Sequence, residues 1–143
     1  MKLEFREIPV AGDGNCLFHS LGKAFDKNQQ QLRNMFSTYI VKNRKKKING
    51  MELEEWVKLE KDMPLIKYAE VMKRSGVWGG SLEITVAHWI YKTNIFVMGR
   101  NGKNYKILSS YVFGNKARNI FVTYNGVHYN YLKVVKNLSG IKT

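Results

Sequence analysis

A single cysteine, Cys16, stands in the whole sequence, so no disulfide can close within the chain and its thiol is free for chemistry. No window approaches the run of about 18 apolar residues that a membrane-spanning helix needs. The opening MKLEFREIPVAGDG also lacks an apolar stretch of signal-peptide length. A soluble protein of a reducing intracellular compartment, cytoplasmic or nuclear, is the expectation. Acidic residues are scarce as well: 11 Asp and Glu face 24 Lys and Arg, a formal charge of +13. An imbalance of that size points to a polyanionic partner or an acidic protein surface. Neither Cys nor His clusters at metal-ligand spacing, so no metal and no organic cofactor are expected.

What is present suits one globular domain: 143 residues, 44% of them hydrophobic and 24% charged. Leu3 to Ile8 partly alternates and reads as an edge strand or extended arm. Ala11-Gly12-Asp13-Gly14-Asn15 is a turn cluster, after which Asn15 can cap a helix from Cys16 to Phe25. Between Gln29 and about Arg44, the residues Leu32, Met35, Phe36, Tyr39 and Ile40 form the stripe of an amphipathic helix. Asn49-Gly50 punctuates the chain. Shorter helices are expected around Leu53 to Glu60, after Pro64 through Met72, and from Leu82 to about Tyr91 beyond a break at Gly76 to Gly80.

After Asn94 the period turns toward 2, and strands are expected at Ile95–Met98, Tyr105–Leu108 and Asn119–Tyr124. Asn125-Gly126 is read as a two-residue hairpin turn that sets Thr123 opposite His128. The basic run Lys42 to Lys47 (KNRKKK) closes the long helix. It reads as a solvated helix terminus rather than a nucleic-acid site, because no aromatic residue interleaves it. A single monomeric domain over 1–135 and a disordered tail over 136–143 are expected.

Chemistry concentrates at the cysteine. A thiol in the first turn of a helix lies beside orphan amides and the positive dipole end, an environment that favours the nucleophilic thiolate. The preceding Gly14 and Asn15 let backbone N–H groups converge as an oxyanion hole. Of the three histidines, His19 lies one turn along the Cys16 helix and is poorly set to take its proton, and His88 sits beside Trp89 in another helix. His128 shares a strand face with Asn130, whose carbonyl can accept the second imidazole N–H and leave the other nitrogen as base. His-x-Asn alone is a weak pattern. A helix-borne thiol upstream is what gives it meaning.

Three blocks, Asp13-Gly14-Asn15-Cys16-Leu17-Phe18-His19-Ser20, Trp78-Gly79-Gly80 with Glu83, and Val127-His128-Tyr129-Asn130-Tyr131, resemble the ovarian tumour (OTU) family of cysteine proteases. The resemblance spans nearly the whole chain and implies an α/β (α+β) papain-like fold, helices packed on a mostly antiparallel C-terminal sheet. It implies Cys16 as nucleophile, His128 as base and then acid, and Asn130 as third member. Asp13 joins the catalytic set, and Asp13, Gly14, Asn15 and Cys16 form the oxyanion hole. Trp78, Gly79, Gly80 and Glu83 would flank the channel that admits a Gly-Gly tail.

The implied activity is deubiquitination, with isopeptide or peptide bonds at the C-terminal Gly-Gly of ubiquitin or polyubiquitin conjugates cleaved through a Cys16 thioester. A basic ubiquitin tail entering a basic enzyme calls for acids such as Glu70 or Glu83 along the channel. Alternatives are a protease for another ubiquitin-like modifier and a catalytically silent basic domain that binds nucleic acid or protein. The retained Cys16, His128 and Asn130 argue against the last. Within the triad, Asn130→Asp is expected to be better tolerated than Asn130→Ala.

Overall fold

The computed structural model describes residues 3–143. Met1 and Lys2, the first two residues of the expected domain, lie outside the described residues. The chain opens with β1 (Leu3–Ile8), then α1 (Cys16–Phe25) and α2 (Gln29–Lys42). A hairpin of β2 (Lys47–Ile48) and β3 (Met51–Glu52) leads to α3 (Leu53–Lys61), α4 (Leu65–Met72) and α5 (Ser81–Tyr91). The sheet strands β4 (Asn94–Asn101), β5 (Asn104–Tyr111), β6 (Asn119–Tyr124) and β7 (Tyr129–Asn137) follow. Their order is β1-β7-β6-β4-β5, antiparallel at every step except the parallel β4–β6 pair. This is the expected arrangement of helices on a mostly antiparallel sheet, with β1 as the edge strand beside β7. No helix among the described residues is long and apolar enough to cross a membrane.

Periodicity explains the core. Leu17 and Leu21 of α1 and Ile40 of α2 are buried with Leu53, Val57 and Val86, against Ile95 of β4 and Val122 of β6. Truncating one such leucine to alanine costs roughly 2–5 kcal/mol in transfer and cavity terms. The start of α2 is fixed by a reciprocal capping box, in which the Gln31 amide donates to Asn28 Oδ1 at 2.8 Å and the Asn28 amide donates to Gln31 Oε1 at 2.9 Å.

Local expectation and structure part company at three places. Asn15 occupies the N-cap position of α1, but its side chain makes no capping bond. Its carboxamide is turned inward to tertiary partners instead. At the β6–β7 connection Thr123 pairs with Asn130, not His128, and Tyr124 pairs with Tyr129. The cause is the Asn125 side chain, whose Oδ1 accepts from the amides of Val127 at 3.0 Å and His128 at 2.8 Å. That Asx arrangement moves the bend forward onto Gly126-Val127. The Asn-Gly pair that does form a two-residue hairpin turn is Asn49-Gly50, with φ of 51° and 83° between β2 and β3.

The basic run stays exposed, as a solvated helix terminus does, and the third place is the C-terminus. Lys45 pairs with Glu54 and, at 3.4 Å, with Glu52, Arg44 lies 3.8 Å from Glu54, and the Lys46 ammonium sits 4.7 Å from the centre of the Trp89 ring. An acidic hairpin-helix junction and an aromatic ring from α5 thus contact a segment that stays solvated. At the other end, Lys136 and Asn137 complete β7, and the Lys142 carbonyl accepts from the Asn119 amide at 2.7 Å and its Nδ2 at 2.8 Å.

The most deeply buried charged group is Arg33, on α2, with 0% exposure. Its Nε donates to Gln29 Oε1 at 2.7 Å, its Nη1 to the Met72 carbonyl at 2.9 Å, and its Nη2 to Asn15 Oδ1 at 2.6 Å and the Val77 carbonyl at 2.7 Å. The guanidinium also lies 4.2 Å from the centre of the Phe18 ring. One side chain therefore ties together α1, α2, the end of α4 and the loop that follows. Arg33→Met should lower stability by about 3 kcal/mol or more, since several buried acceptors lose their donors at roughly 1–3 kcal/mol each. Arg33→Lys should recover less than half of the loss, because one ammonium cannot span the fork. Urea denaturation measures both, and a wild-type midpoint for Arg33→Met would refute this account.

Candidate active site

Cys16 is the first residue of α1, and the turn before it is built for close approach. Gly14 has φ of +83°, and a Cβ there would collide with the Gly76 carbonyl oxygen, so glycine is required on both conformational and steric grounds. Asp13 Oδ1 accepts from the Asn15 amide at 3.0 Å, and Asp13 Oδ2 lies 3.2 Å from His19 Nε2. The Asn15 amide, followed by His19, holds the Asp13 carboxyl below the usual carboxylate range. That bond takes the Asn15 amide out of the expected oxyanion set. The amides of Asp13, Gly14 and Cys16 remain of the expected set. His19 is committed to Asp13 and braces the turn.

Asn15 binds the turn to the rest of the molecule. Its Oδ1 accepts from Arg33 Nη2 and from the Gly76 amide at 2.7 Å, and its Nδ2 donates to Ser75 Oγ at 3.1 Å. The Ser75–Gly80 segment is thus fastened along the start of α1. A Cβ on Gly79 would come within 2.9 Å of the Phe18 ring and 3.0 Å of Leu17, so this loop packs on the residues next to Cys16. Trp78 is 66% exposed beside it, an unusual position for the largest side chain.

Glu83 does not line a channel. It is buried on α5, where its Oε1 accepts from the Gly80 amide at 2.7 Å and its Oε2 from the Tyr68 hydroxyl at 2.7 Å. Burial pushes its carboxyl above the usual range against those two bonds. Glu83 therefore props the Gly80 turn from inside, and the expected acidic lining is not supplied by it. Glu70 is exposed on α4.

The second half of the site comes from β7. The Tyr129 amide lies 3.5 Å from Cys16 Sγ, which sets the residue next to His128 against the sulfur. His128 Nε2 is 2.7 Å from Asn130 Oδ1, the i, i+2 contact that a shared strand face implies. Asn130 Oδ1 also accepts from the Val10 amide at 3.1 Å, and Asn130 Nδ2 donates to Glu7 Oε2 at 2.8 Å. A donor on one side and a carboxylate on the other fix the amide orientation without ambiguity. Since Oδ1 is the atom facing His128, the proton sits on Nε2 and Nδ1 is the free nitrogen. Nδ1 points to the Asp13 side of the site, 3.8 Å from where a Gly12 Cβ would stand.

Glu7 and Arg33 escaped the reading of the sequence, though each leaves a trace. Arg33 has Phe36, Ser37 and Ile40 at i+3, i+4 and i+7, so it lies on the buried face of its helix. Glu7 shares its strand face with Leu3 and Phe5, an inward position for an acid. Its oxygens also take the Tyr105 hydroxyl at 3.1 Å and the Thr123 hydroxyl at 3.4 Å. Among the described residues no group of three or more His, Cys, Asp or Glu could hold a metal ion. The chemistry open to this arrangement is thiol attack on a carbonyl, with proton transfer through an oriented imidazole.

The family model for OTU-like cysteine proteases matches residues 11–133. The chain is 28% identical over 142 residues to OVARIAN TUMOR DOMAIN-containing deubiquitinating enzyme 7 of Arabidopsis thaliana, covering 96% of this chain and 35% of that protein. It is 28% identical over 126 residues to ubiquitin thioesterase OTU1 of Saccharomyces cerevisiae, covering 87% of this chain and 38% of that protein. The chain thus spans little more than a third of either relative. A solved ovarian tumour domain in complex with ubiquitin superimposes with a TM-score of 0.69 at 23% identity, over 97% of this chain and 73% of that one. That likeness carries the expected papain-like fold of OTU type.

The network also revises one expectation. Asn130→Asp, read from sequence as the milder change, places a carboxylate against Glu7 across a 2.8 Å contact. It should be unstable at neutral pH, and Glu7→Gln should rescue it. Urea denaturation of the two single variants and the double variant should give a coupling of about 1 kcal/mol or more between the positions. Strict additivity would show that Glu7 and Asn130 do not interact.

Proposed function

The chain belongs to the OTU-like cysteine proteases, and on that premise we propose that it is a deubiquitinase using Cys16, His128 and Asn130. The carrying observation is the sulfur at the start of α1, 3.5 Å from the amide of Tyr129, with the preceding residue His128 held through its Nε2 by Asn130. The proposed cycle begins as His128 Nδ1 takes the Cys16 thiol proton and Sγ attacks the carbonyl carbon of the tail's terminal glycine. Negative charge on the carbonyl oxygen is met by amides from the set Asp13, Gly14 and Cys16. The C–N bond breaks as His128 delivers a proton to the departing amine, leaving a Cys16 thioester. Water then attacks with His128 as base, releasing the carboxylate and the thiol.

Ubiquitin is the proposed substrate because the approach to the sulfur is bordered by Gly79 and Gly80. The backbone there is bare, and a Gly-Gly tail can lie close without side-chain conflict. Exposed Trp78 offers a flat apolar face at the same border. A reducing cytosol or nucleus, where a lone thiol persists, is the proposed setting. The printed functions of the relatives, a deubiquitinating enzyme and a ubiquitin thioesterase, agree with this reading.

A ubiquitin derivative with a C-terminal electrophile tests the proposal. Mass spectrometry should place the adduct on Cys16, and Cys16→Ala should give none while melting within a few degrees of the parent. His128→Ala should lose about 100-fold or more in turnover, the size of a general acid–base contribution. His19→Ala should remain active, because its partner is Asp13 rather than the sulfur. An active His128→Ala protein, or an unmodified Cys16 in folded protein, would overturn the assignment.

A further inference from the structure

The proposed hydrolysis leaves the +13 charge unused. We propose that a groove at the opposite end of the fold from Cys16 binds single-stranded nucleic acid. The groove has a volume of about 690 Å³ and is walled by the end of α1, the end of α5, the β5–β6 connection and Lys142. It lies at Phe25, the far end of a ten-residue helix from Cys16, or about 15 Å along the axis at 1.5 Å per residue.

Its wall carries Lys92, Lys116, Arg118 and Lys142 and no carboxylate. None of these four cations joins an ion pair among the described residues, whereas the denser run at Arg44 and Lys45 is already neutralised by Glu52 and Glu54. Arg118 keeps its place by donating from Nη1 to the Ala24 carbonyl at 2.9 Å. Gathering four like charges around one concavity is unfavourable without a counter-charge, and phosphates supply one.

Aromatic rings share the same wall. Phe25 and Tyr91 are stacked with centroids 3.8 Å apart and planes 4° from parallel, and Phe113 is 50% exposed at the rim. Cations to follow a phosphate backbone and π-faces to take its bases are the two parts of a single-strand site. An acidic peptide would use the first and leave the second idle. Thr93, also in the wall, holds the only buried side-chain polar atom among the described residues that has no hydrogen-bond partner.

The rim is also preformed. Asn94 Oδ1 accepts from the Phe113 amide at 2.6 Å and the Gly114 amide at 3.0 Å, while its Nδ2 donates to the Gly114 carbonyl at 2.8 Å and to Asn119 Oδ1 at 3.1 Å. A buried asparagine thereby fixes the loop that presents Phe113 and Lys116. Fixing the loop in advance lowers the ordering cost of binding.

Fluorescence anisotropy of the full chain with a short labelled oligouridylate, across a salt series, tests the site. Binding should saturate, with log K falling against log salt at a slope of about −3, the value for four cations on a single strand. Lys116→Gln with Lys142→Gln should bring the slope to about −1.4. Phe113→Ala should weaken binding about fivefold or more with the slope unchanged. The Lys45→Gln, Lys46→Gln, Lys47→Gln variant should bind as the parent does, and all variants should keep the parent's urea midpoint and cleave a minimal ubiquitin-tail substrate normally. Non-saturable binding, equal loss on neutralising Lys45 to Lys47, or groove-dependent binding of an acidic peptide or phosphatidylserine vesicles without oligouridylate would overturn the proposal.

Discussion

The hydrogen bond from the buried Arg33 guanidinium to the Asn15 carboxamide is the constraint on which the nucleophile's position depends. A guanidinium taken wholly out of water, with no direct carboxylate partner, is tolerable only when each of its three nitrogens finds an acceptor. Gln29, Asn15 and the carbonyls of Met72 and Val77 supply them. Burial lowers the pKa of the guanidinium, and the more distant charges of Glu83 and Asp13 act the other way. The consequence for the sequence is specific. Asn15 presents a carbonyl oxygen to two donors and an N–H to Ser75, a three-way contact that the shorter serine side chain cannot reach. Gly14 must then pass under Gly76 without a side chain.

A second network, independent of the first, sets the base. Glu7 reaches from the edge strand to Asn130, Asn130 turns its oxygen to His128, and the Val10 amide closes the same oxygen from behind. The N-terminal strand is therefore part of the site's support as well as the rim of the sheet. Its pairing with β7 carries Glu7 to within reach, in register with Leu132. The two networks meet where the Tyr129 amide approaches the Cys16 sulfur. Helices position Cys16 and the sheet positions His128, so the separation of the two is governed by how α1 packs on β7.

Local signals read well and remote ones did not. The α1 and α2 helices and the three C-terminal strands follow from periods of 3.6 and 2, because burial of one face is a property of nearby residues. The place of Cys16 at a helix start and the His128–Asn130 contact were legible because a turn, a helix start and an i, i+2 relation are local too. The turn at Asn125 was misread by its own side chain, which satisfies backbone amides in place of adopting a positive φ. Arg33 meets Asn15 across 18 positions and Asn130 meets Glu7 across 123, and no local pattern names such partners. The basic run is exposed as read, and only its contact with Trp89, on a different helix, lay beyond the local pattern.

The two networks also differ in sign, in the sense that the proposed reaction needs. During attack, negative charge builds on sulfur and then on the carbonyl oxygen, while positive charge builds on the His128 ring. Behind the Cys16 turn stands a buried cation, Arg33, and behind His128 stands an anion, Glu7. Each is separated from the reacting group by one neutral carboxamide, Asn15 or Asn130. A charge placed directly against sulfur or imidazole would form a tight ion pair in the resting enzyme and stabilise the ground state as strongly as the transition state. Set one amide back, it orients a dipole that is fixed before reaction and needs no reorganisation during it. The neutral asparagine in each network thus serves as spacer and as relay, which explains why both positions carry an amide in place of a charged group.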